Sequence, residues 1–306
     1  MKILSRPDEL GSGAAALAIG VFDGVHLGHQ EVIRRMVQYA GVHQASAVVA
    51  TFDRHPNAVI APDRTPPAIQ TTTQRLRVFA DLGTDATWLI RFDEAFSRQT
   101  GEAFVRALAR GFRRVVAVCV GSGFQFGHRR SGDVALLRRL GAELGFAVEA
   151  VDPLAVDGQT ISSTRIRDAI REGDLAAAGR LLGRRYSLAG RVVRGDQLGR
   201  QLGFPTANLD VAGLILPPNG VYAVRAATAE AEFRGVMNIG LRPTVPGAER
   251  PVRVEVHLLD AALELYNQEL TVTPLARLRD EMRFDSLAAL QAQIRQDVAA
   301  ARAISG

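Results

Sequence analysis

Short apolar runs separated by amphipathic segments fill the first half of the chain. The runs are Ala16–Phe22 ("ALAIGVF"), Ser46–Phe52 ("SAVVATF"), Thr87–Phe92 ("TWLIRF"), Val115–Val120 ("VVAVCV") and Phe146–Val151 ("FAVEAV"). Between them a segment starting near Leu27, then Gln74–Leu82, Glu102–Arg110 and Val134–Leu144, repeat apolar residues at helical spacing. Continuous apolar strands alternating with helices predict a doubly wound parallel sheet covered on both faces. Ligands of such sheets sit beyond the carboxyl ends of the strands.

After Tyr186 the period shortens. "GVYAVRAAT", "FRGVMNI", "VRVEVHLL" and "LTVTPLARL" alternate apolar and polar residues between turn signals at Gly195-Asp196, Pro217-Pro218-Asn219-Gly220 and Pro246-Gly247. This pattern predicts an antiparallel barrel or sandwich. Ser286–Ile304 returns to helical spacing. The boundary is placed between Gly183 and Ser187, giving domains 1–185 and 186–306.

A chain of 306 residues accommodates two cores. The formal charge is +5 and Lys2 is the sole lysine. A mild basic excess without a long arginine block suits phosphate-bearing small molecules and gives no sign of a nucleic-acid tail. Cys119 is alone, which excludes a disulfide framework and a cysteine-based zinc site. No run is long enough to span a bilayer, and "MKILSRPDELG" lacks the apolar core of a signal peptide, so the expected compartment is the cytoplasm, with no membrane partner. Oligomeric state is left open.

Chemistry concentrates in "GVFDGVHLGHQ", Gly20–Gln30, directly behind the first strong strand. His26 and His29 fall on one face of a helix's first turn, and Gly24 and Gly28 permit close approach of a ligand. A helix N-terminus attracts phosphate, and imidazoles there can stabilise charge developing in phosphoryl or nucleotidyl transfer. Packing and metal binding are the alternatives. Zinc would need a third ligand, and His43, His55 and His128 show no recognisable spacing. A second stretch, "ISSTRIRDAI" (Ile161–Ile170), runs hydroxyls into arginines at a helix start, with Ser162 or Ser163 as the N-cap and Arg167 on the first turns. Its hydroxyls, amides and arginine would seat a triphosphate tail.

Together with "TFDRHP" (Thr51–Pro56) and "GFQFGHRRSGD" (Gly123–Asp133), these stretches resemble, in order, the FMN adenylyltransferase half of bacterial bifunctional riboflavin kinase/FAD synthetases, in the HxGH nucleotidyltransferase group. The resemblance implies that His26 and His29 contact the ATP phosphates in the transition state and that Asp23 and Gly28 shape the nucleotide pocket. It implies that Ser163, Thr164 and Arg167 bind the leaving pyrophosphate. The implied reaction is attack of the FMN phosphate on the α-phosphorus of ATP, giving FAD. Two positions depart from the family's pattern. Gly123 stands where the family has an acidic or amide residue, which removes a polar contact to substrate. Arg54-His55-Pro56 replaces Pro-His-Pro, which adds a cation near the flavin phosphate.

In the second half, Thr206 and Asn208 of "GRQLGFPTANLD" (Gly199–Asp210) share one face if extended, and hydroxyl and amide oxygens suit Mg²⁺. In "VRVEVHLLD", Val252, Val254, Val256 and Leu258 form one face and Arg253, Glu255 and His257 the other. No GxxxxGK[ST] loop is present, so a kinase here is not of the P-loop kind. "GRQLGFPTANL", "PPNGVYAV", "GVMNIGLRPTV", "VEVHLLD" and "LRDEMRF" together resemble the riboflavin kinase domain of the same enzymes. That resemblance implies a six-stranded barrel. Thr206 and Asn208 would hold Mg²⁺-ATP, Gly199, Gly203 and Pro205 would form the loop over the nucleotide, and Glu255 would deprotonate the riboflavin 5′-hydroxyl. Arg279 would lie near the flavin. The family's Phe after "HLLD" is Ala261 here, expected to be a loop change away from the chemistry. The whole reading is riboflavin to FMN, then FMN to FAD, both using Mg²⁺-ATP. The alternative is a riboflavin kinase whose adenylyltransferase half is weakened by Gly123.

Overall fold

The computed structural model describes residues 1–195, 198–241, 252–261 and 263–304. Asp196, the Pro246-Gly247 turn and residues 242–245 of "GVMNIGLRPTV" lie outside the described residues. The chain divides into two compact units. One comprises Met1–Ala68, Thr72–Ile166 and Leu181–Gly183; the other comprises Ile69–Thr71, Arg167–Arg180 and Arg184–Gly306.

The first unit carries β1 (Lys2–Leu4), β2 (Ala15–Ile19), β3 (Ser46–Phe52), β4 (Ala86–Ile90), β5 (Val115–Gly121) and β6 (Ala147–Val151). They form one parallel sheet in the order β1-β4-β3-β2-β5-β6. The strand β1 was not expected; three residues are too few to show a period. From β2 the chain moves outward one way through β3 and β4, then crosses to the other side at β5. The gap beyond the carboxyl ends of β2 and β5 is therefore the topological switch point.

The helices of this stretch are α1 (Leu27–Val42), α2 (Asn57–Ile60), α3 (Thr72–Asp81), α4 (Glu94–Ser97), α5 (Gly101–Gly111) and α6 (Val134–Leu144). Strand alternation sorts them onto two faces. Ala16, Ala18, Val49 and Cys119 pack under α1 and α3 through Ile33, Met36 and Phe79. Leu17, Ile19, Val48 and Val118 pack under α5 and α6 through Val105, Leu108, Leu137 and Leu140. Burial, with Glu149 adding to it, pushes the Cys119 thiol up to about 12, so this side chain behaves as a small hydrophobe. A short hairpin, β7 (Ala155–Val156) and β8 (Gln159–Thr160), turns through Asp157 and Gly158, both at positive φ. It leads into α7 (Ser163–Glu172), followed by α8 (Leu175–Leu182).

The second unit closes β9 (Leu188–Val193), β10 (Ala207–Asp210), β11 (Gly220–Ala227), β12 (Glu232–Leu241), β13 (Val252–Leu258) and β14 (Glu269–Arg279) into a barrel of order β10-β13-β12-β11-β14-β9. All pairings are antiparallel. Met237, Ile239, Val254, Val256 and Tyr222, all 2% exposed or less, fill the barrel interior. The apolar face of β13 begins at Val254, because Val252 is exposed. The short α9 (Leu198–Gln201) lies between β9 and β10, and α10 (Leu287–Ala303) follows β14. Ser286 caps α10 by accepting the Ala289 N–H at 3.1 Å. Val221, Ala223 and Val236 pack with Val298 and Ala301 of that helix, so the outer face of β11 and β12 is covered.

Candidate functional site

The turn after β2 is strained. Phe22 and Val25 have φ of 50° and 39°, and Gly24 of 80°. Two non-glycine residues in the left-handed region cost on the order of 1–3 kcal/mol each, so the surroundings must impose them. Four side chains do so by gripping the turn's carbonyls. Thr51 and Arg75 donate to Val21 O at 3.1 and 2.9 Å, Gln30 to Val25 O at 2.9 Å, and Ser163 to Asp23 O at 2.9 Å. Gln30 also reaches Leu182 O at 2.8 Å. These anchors come from β3, α3, α1 and α7, so the turn is set by the whole unit.

His26 is the N-cap of α1, and its Nδ1 accepts the His29 N–H at 3.3 Å. An accepting Nδ1 leaves the proton on Nε2. The His26 and His29 rings stack at 3.6 Å with an interplanar angle of 17°, and Phe22 meets His29 edge-on. His29 Nδ1 is enclosed without a hydrogen-bond partner. Burial, and secondarily the neighbouring His26, hold His29 well below the ordinary histidine range, so it is neutral at pH 7. A Cβ at Gly28 would stand 3.3 Å from the His26 ring, a tight contact that the imidazole would have to relieve.

Ser162 Oγ accepts the Arg165 N–H at 3.2 Å and caps α7. Ser163 is the residue bound to Asp23. Two motifs 140 positions apart thus meet directly. Thr164 is exposed on the first turn, and Arg167, 6% exposed, lies one turn beyond Ser163 on the same helix face.

Arg75 was not singled out from the sequence. It is buried, donating to Val21 O, to Phe52 O at 2.9 Å, to Thr51 and to Thr72. Burial lowers its pKa, while Asp23 and Asp53 act in the opposite sense and favour the charged form. The available signal was its place in the apolar stripe of α3, four residues before Phe79.

Beside this turn lies a cavity of about 870 Å³ walled by Phe52, Phe92, Phe96, Phe104, Phe124 and Phe126, with Arg98, His128, Arg129 and Arg130 also lining it. Its phenylalanine wall and cationic side chains, with Glu94 as the one acid in the lining, suit a planar aromatic ligand bearing an anion. Arg54 does not line it; its guanidinium lies against Asp53 at 3.3 Å, and His55 supplies the wall there. Gly123 is likewise absent from the lining, and a Cβ at that position would meet nothing within 4 Å.

In the barrel the register places Asn208, Glu255 and Asn238 side by side across β10, β13 and β12. They point to the outer face, opposite Val254 and Val256. Arg253 donates to Glu255 at 3.3 Å from the same face. Asn208 stands opposite Glu255, and with Thr206 two residues before it offers neutral hard oxygens of a kind that fits Mg²⁺. Among the described residues no cluster of three His, Cys, Asp or Glu side chains could hold a metal ion. The loop before β10 needs its glycines: a Cβ at Gly199 would stand 2.4 Å from Phe204 O, and Gly203 has φ of 85°. Pro205, Thr206 and Ala261 line a cavity of about 430 Å³ with Arg200, Glu264 and Tyr266. Ala261 thus belongs to the wall of this cavity. Arg279 forms a forked ion pair with the buried Asp297 of α10 at 2.8–3.2 Å and lies over the Phe284 ring. Asn238 was missed because only strand pairing places it beside Glu255.

A family model described as FAD synthetase matches residues 10–165, and one described as riboflavin kinase matches residues 182–305. The chain is 39% identical to the bifunctional riboflavin kinase/FMN adenylyltransferase of Escherichia coli (strain K12) over 291 residues, covering 95% of this chain and 92% of that one. It is 38% identical to the protein of the same name from Pseudomonas fluorescens, over 98% of this chain and 95% of that one. A Streptococcus pneumoniae crystal structure described as a macrolide-efflux protein superimposes with a TM-score of 0.81 at 29% identity, covering 99% of both chains. Among the described residues no helix is long and apolar enough to cross a membrane.

Proposed function

This chain belongs to the bifunctional riboflavin kinase/FMN adenylyltransferase family, and we propose how its residues divide the two transferase reactions. Residues 1–185 carry adenylyl transfer and residues 186–306 carry riboflavin phosphorylation. ATP and flavins are the substrates.

In the first reaction an FMN phosphate oxygen attacks the α-phosphorus of ATP. A P–O bond forms there as the bond to the β-phosphate oxygen breaks, and pyrophosphate leaves. His26 and His29, the latter neutral, donate to the phosphates beside the free N–H groups of α1, stabilising the charge that develops. Asp23 and Gly28 shape the nucleotide pocket, and Ser163, Thr164 and Arg167 hold the pyrophosphate. The isoalloxazine takes the phenylalanine-walled cavity. The observation that carries this reading is the Ser163–Asp23 hydrogen bond, which brings the start of α7 onto the histidine turn at the switch point.

In the second reaction Glu255 accepts the proton of the riboflavin 5′-hydroxyl as that oxygen attacks the γ-phosphorus. ADP is the leaving group. Thr206 and Asn208 hold Mg²⁺, which offsets charge on the nucleotide phosphates when bound. Gly199, Gly203 and Pro205 form the loop over ATP. Arg279 acts through α10, keeping the flavin side of the barrel in place through Asp297.

Product analysis tests this reading. Purified protein is given Mg²⁺-ATP with either riboflavin or FMN, and the flavins are separated by chromatography. FAD from both substrates is the expected result. FMN accumulating from riboflavin with none converted would overturn the assignment of the first unit.

A further inference from the structure

We propose that His257 is a positioning residue for phosphoryl transfer, tying the nucleotide loop to the strand that carries Glu255. The inference rests on the kinase reading above. The backbone pairing of β10 with β13 ends at Ala207 opposite Val256. Pro205 and Thr206 lie beyond that last pair, so the ladder does not fix their place against β13. A side chain does. His257 Nδ1 lies 2.8 Å from Pro205 O, and the His257 ring meets Phe204 edge-on at 5.5 Å and 85°.

A carbonyl oxygen only accepts, so Nδ1 carries the proton in this contact. The rest of the loop is tied to itself, through Phe204 N to Gly199 O at 2.8 Å and Gly203 N to Arg200 O at 3.2 Å. Gln291 of α10 holds Leu202 O at 3.0 Å. Of these bonds, only the one from His257 originates on the strand of Glu255. His257 and Glu255 are two residues apart on the same face, roughly 7 Å along the strand. Beyond the chain's own link through the paired Ala207, this imidazole ties the nucleotide loop to the strand of the base.

The test compares His257→Ala, His257→Asn and His257→Gln with Glu255→Gln in the full chain, measuring KM and kcat for ATP and for riboflavin. In His257→Ala the KM for ATP should rise about tenfold, as loss of one well-made anchoring bond implies, with the riboflavin KM nearly unchanged. An asparagine amide occupies the place of Nδ1 and a glutamine amide that of Nε2. Asn should therefore restore most of the loss and Gln should not. Conversion of supplied FMN to FAD should be as in wild type for all three. A wild-type ATP KM in His257→Ala, with Glu255→Gln inactive, overturns the proposal. So do equal rises in both KM values, or equal behaviour of Asn and Gln. The Asn–Gln contrast decides the matter even if the alanine variant fails to fold. Undiminished FMN formation by Glu255→Gln would instead overturn the kinase-site reading itself.

Discussion

In the parallel-sheet unit the residues proposed for phosphate chemistry crowd into one turn. His26 and His29 are three positions apart, and Phe22 and Val25 beside them are in left-handed backbone. In the barrel, Asn208, Glu255 and Asn238 come from three strands and are aligned by register. The first site stores strain in a short segment and holds it with Thr51, Arg75, Gln30 and Ser163. In the second, Asn208, Glu255 and Asn238 lie in strands aligned by the ladder, and His257 ties the loop beyond the ladder's end. A local motif is thus demanding in structure, whereas a distributed site is inexpensive in structure and hard to recognise.

The largest expected effect separates the two sites outright. Glu255→Gln should lower riboflavin phosphorylation by roughly 10²–10⁴ while supplied FMN still becomes FAD. His29→Ala should do the reverse. Chromatography of the flavin products checks both, and loss of both reactions in either variant would break the division into two sites.

Next comes the anchoring of the strained turn. Arg75→Met takes from Phe52 O its side-chain donor, leaves Val21 O to Thr51 alone, and removes a cation beside Asp23 and Asp53. It should cost the first unit about 3 kcal/mol. Urea unfolding followed through Trp88, on β4 of this unit, would measure the loss. The barrel counterpart is Asp297→Asn, which removes the carboxylate charge paired with Arg279. Because that arginine is partly exposed, the cost should be smaller, about 2 kcal/mol.

A weaker effect is linked to protons. His29 has a folded pKa well below the ordinary 6.5, so below that pH the unfolded chain binds a proton the folded chain does not. Stability should then fall as pH drops from about 6.5 toward the folded value, and be pH-independent in this respect above it. Thermal unfolding between pH 5 and 7.5 should show this slope in wild type and a shallower one in His29→Gln. An equal slope would deny that His29 is buried neutral.

The smallest effect belongs to Gly123. A side chain there enters open space, so Gly123→Asp should fold normally and change FAD formation by less than about threefold. A large gain would mean that the first unit is weakened as it stands.

Much of the fold was legible because strong periods survive averaging. Ser46–Phe52 and Val115–Val120 are too apolar to be anything but buried strands, and the start of α1 falls at Leu27, as its motif implies. The three-residue β1 and the six- and four-residue β9 and β10 were not legible, since so few positions give alternation no contrast. Arg75 was invisible for a related reason. A charge on an amphipathic helix ordinarily faces water, and only the surrounding carbonyls reveal that this one does not.

The sequence by itself determined the succession of elements, the change of architecture after Tyr186 and the residues able to meet phosphate, because period, turn chemistry and side-chain type are local properties. Tertiary structure decided which of those residues meet. The Ser163 hydroxyl reaches Asp23 across 140 positions, Asn238 comes beside Glu255, and Asp297 claims Arg279. Strand order, register and helix docking fix these distances. All three arise from long-range packing that no short stretch of sequence contains.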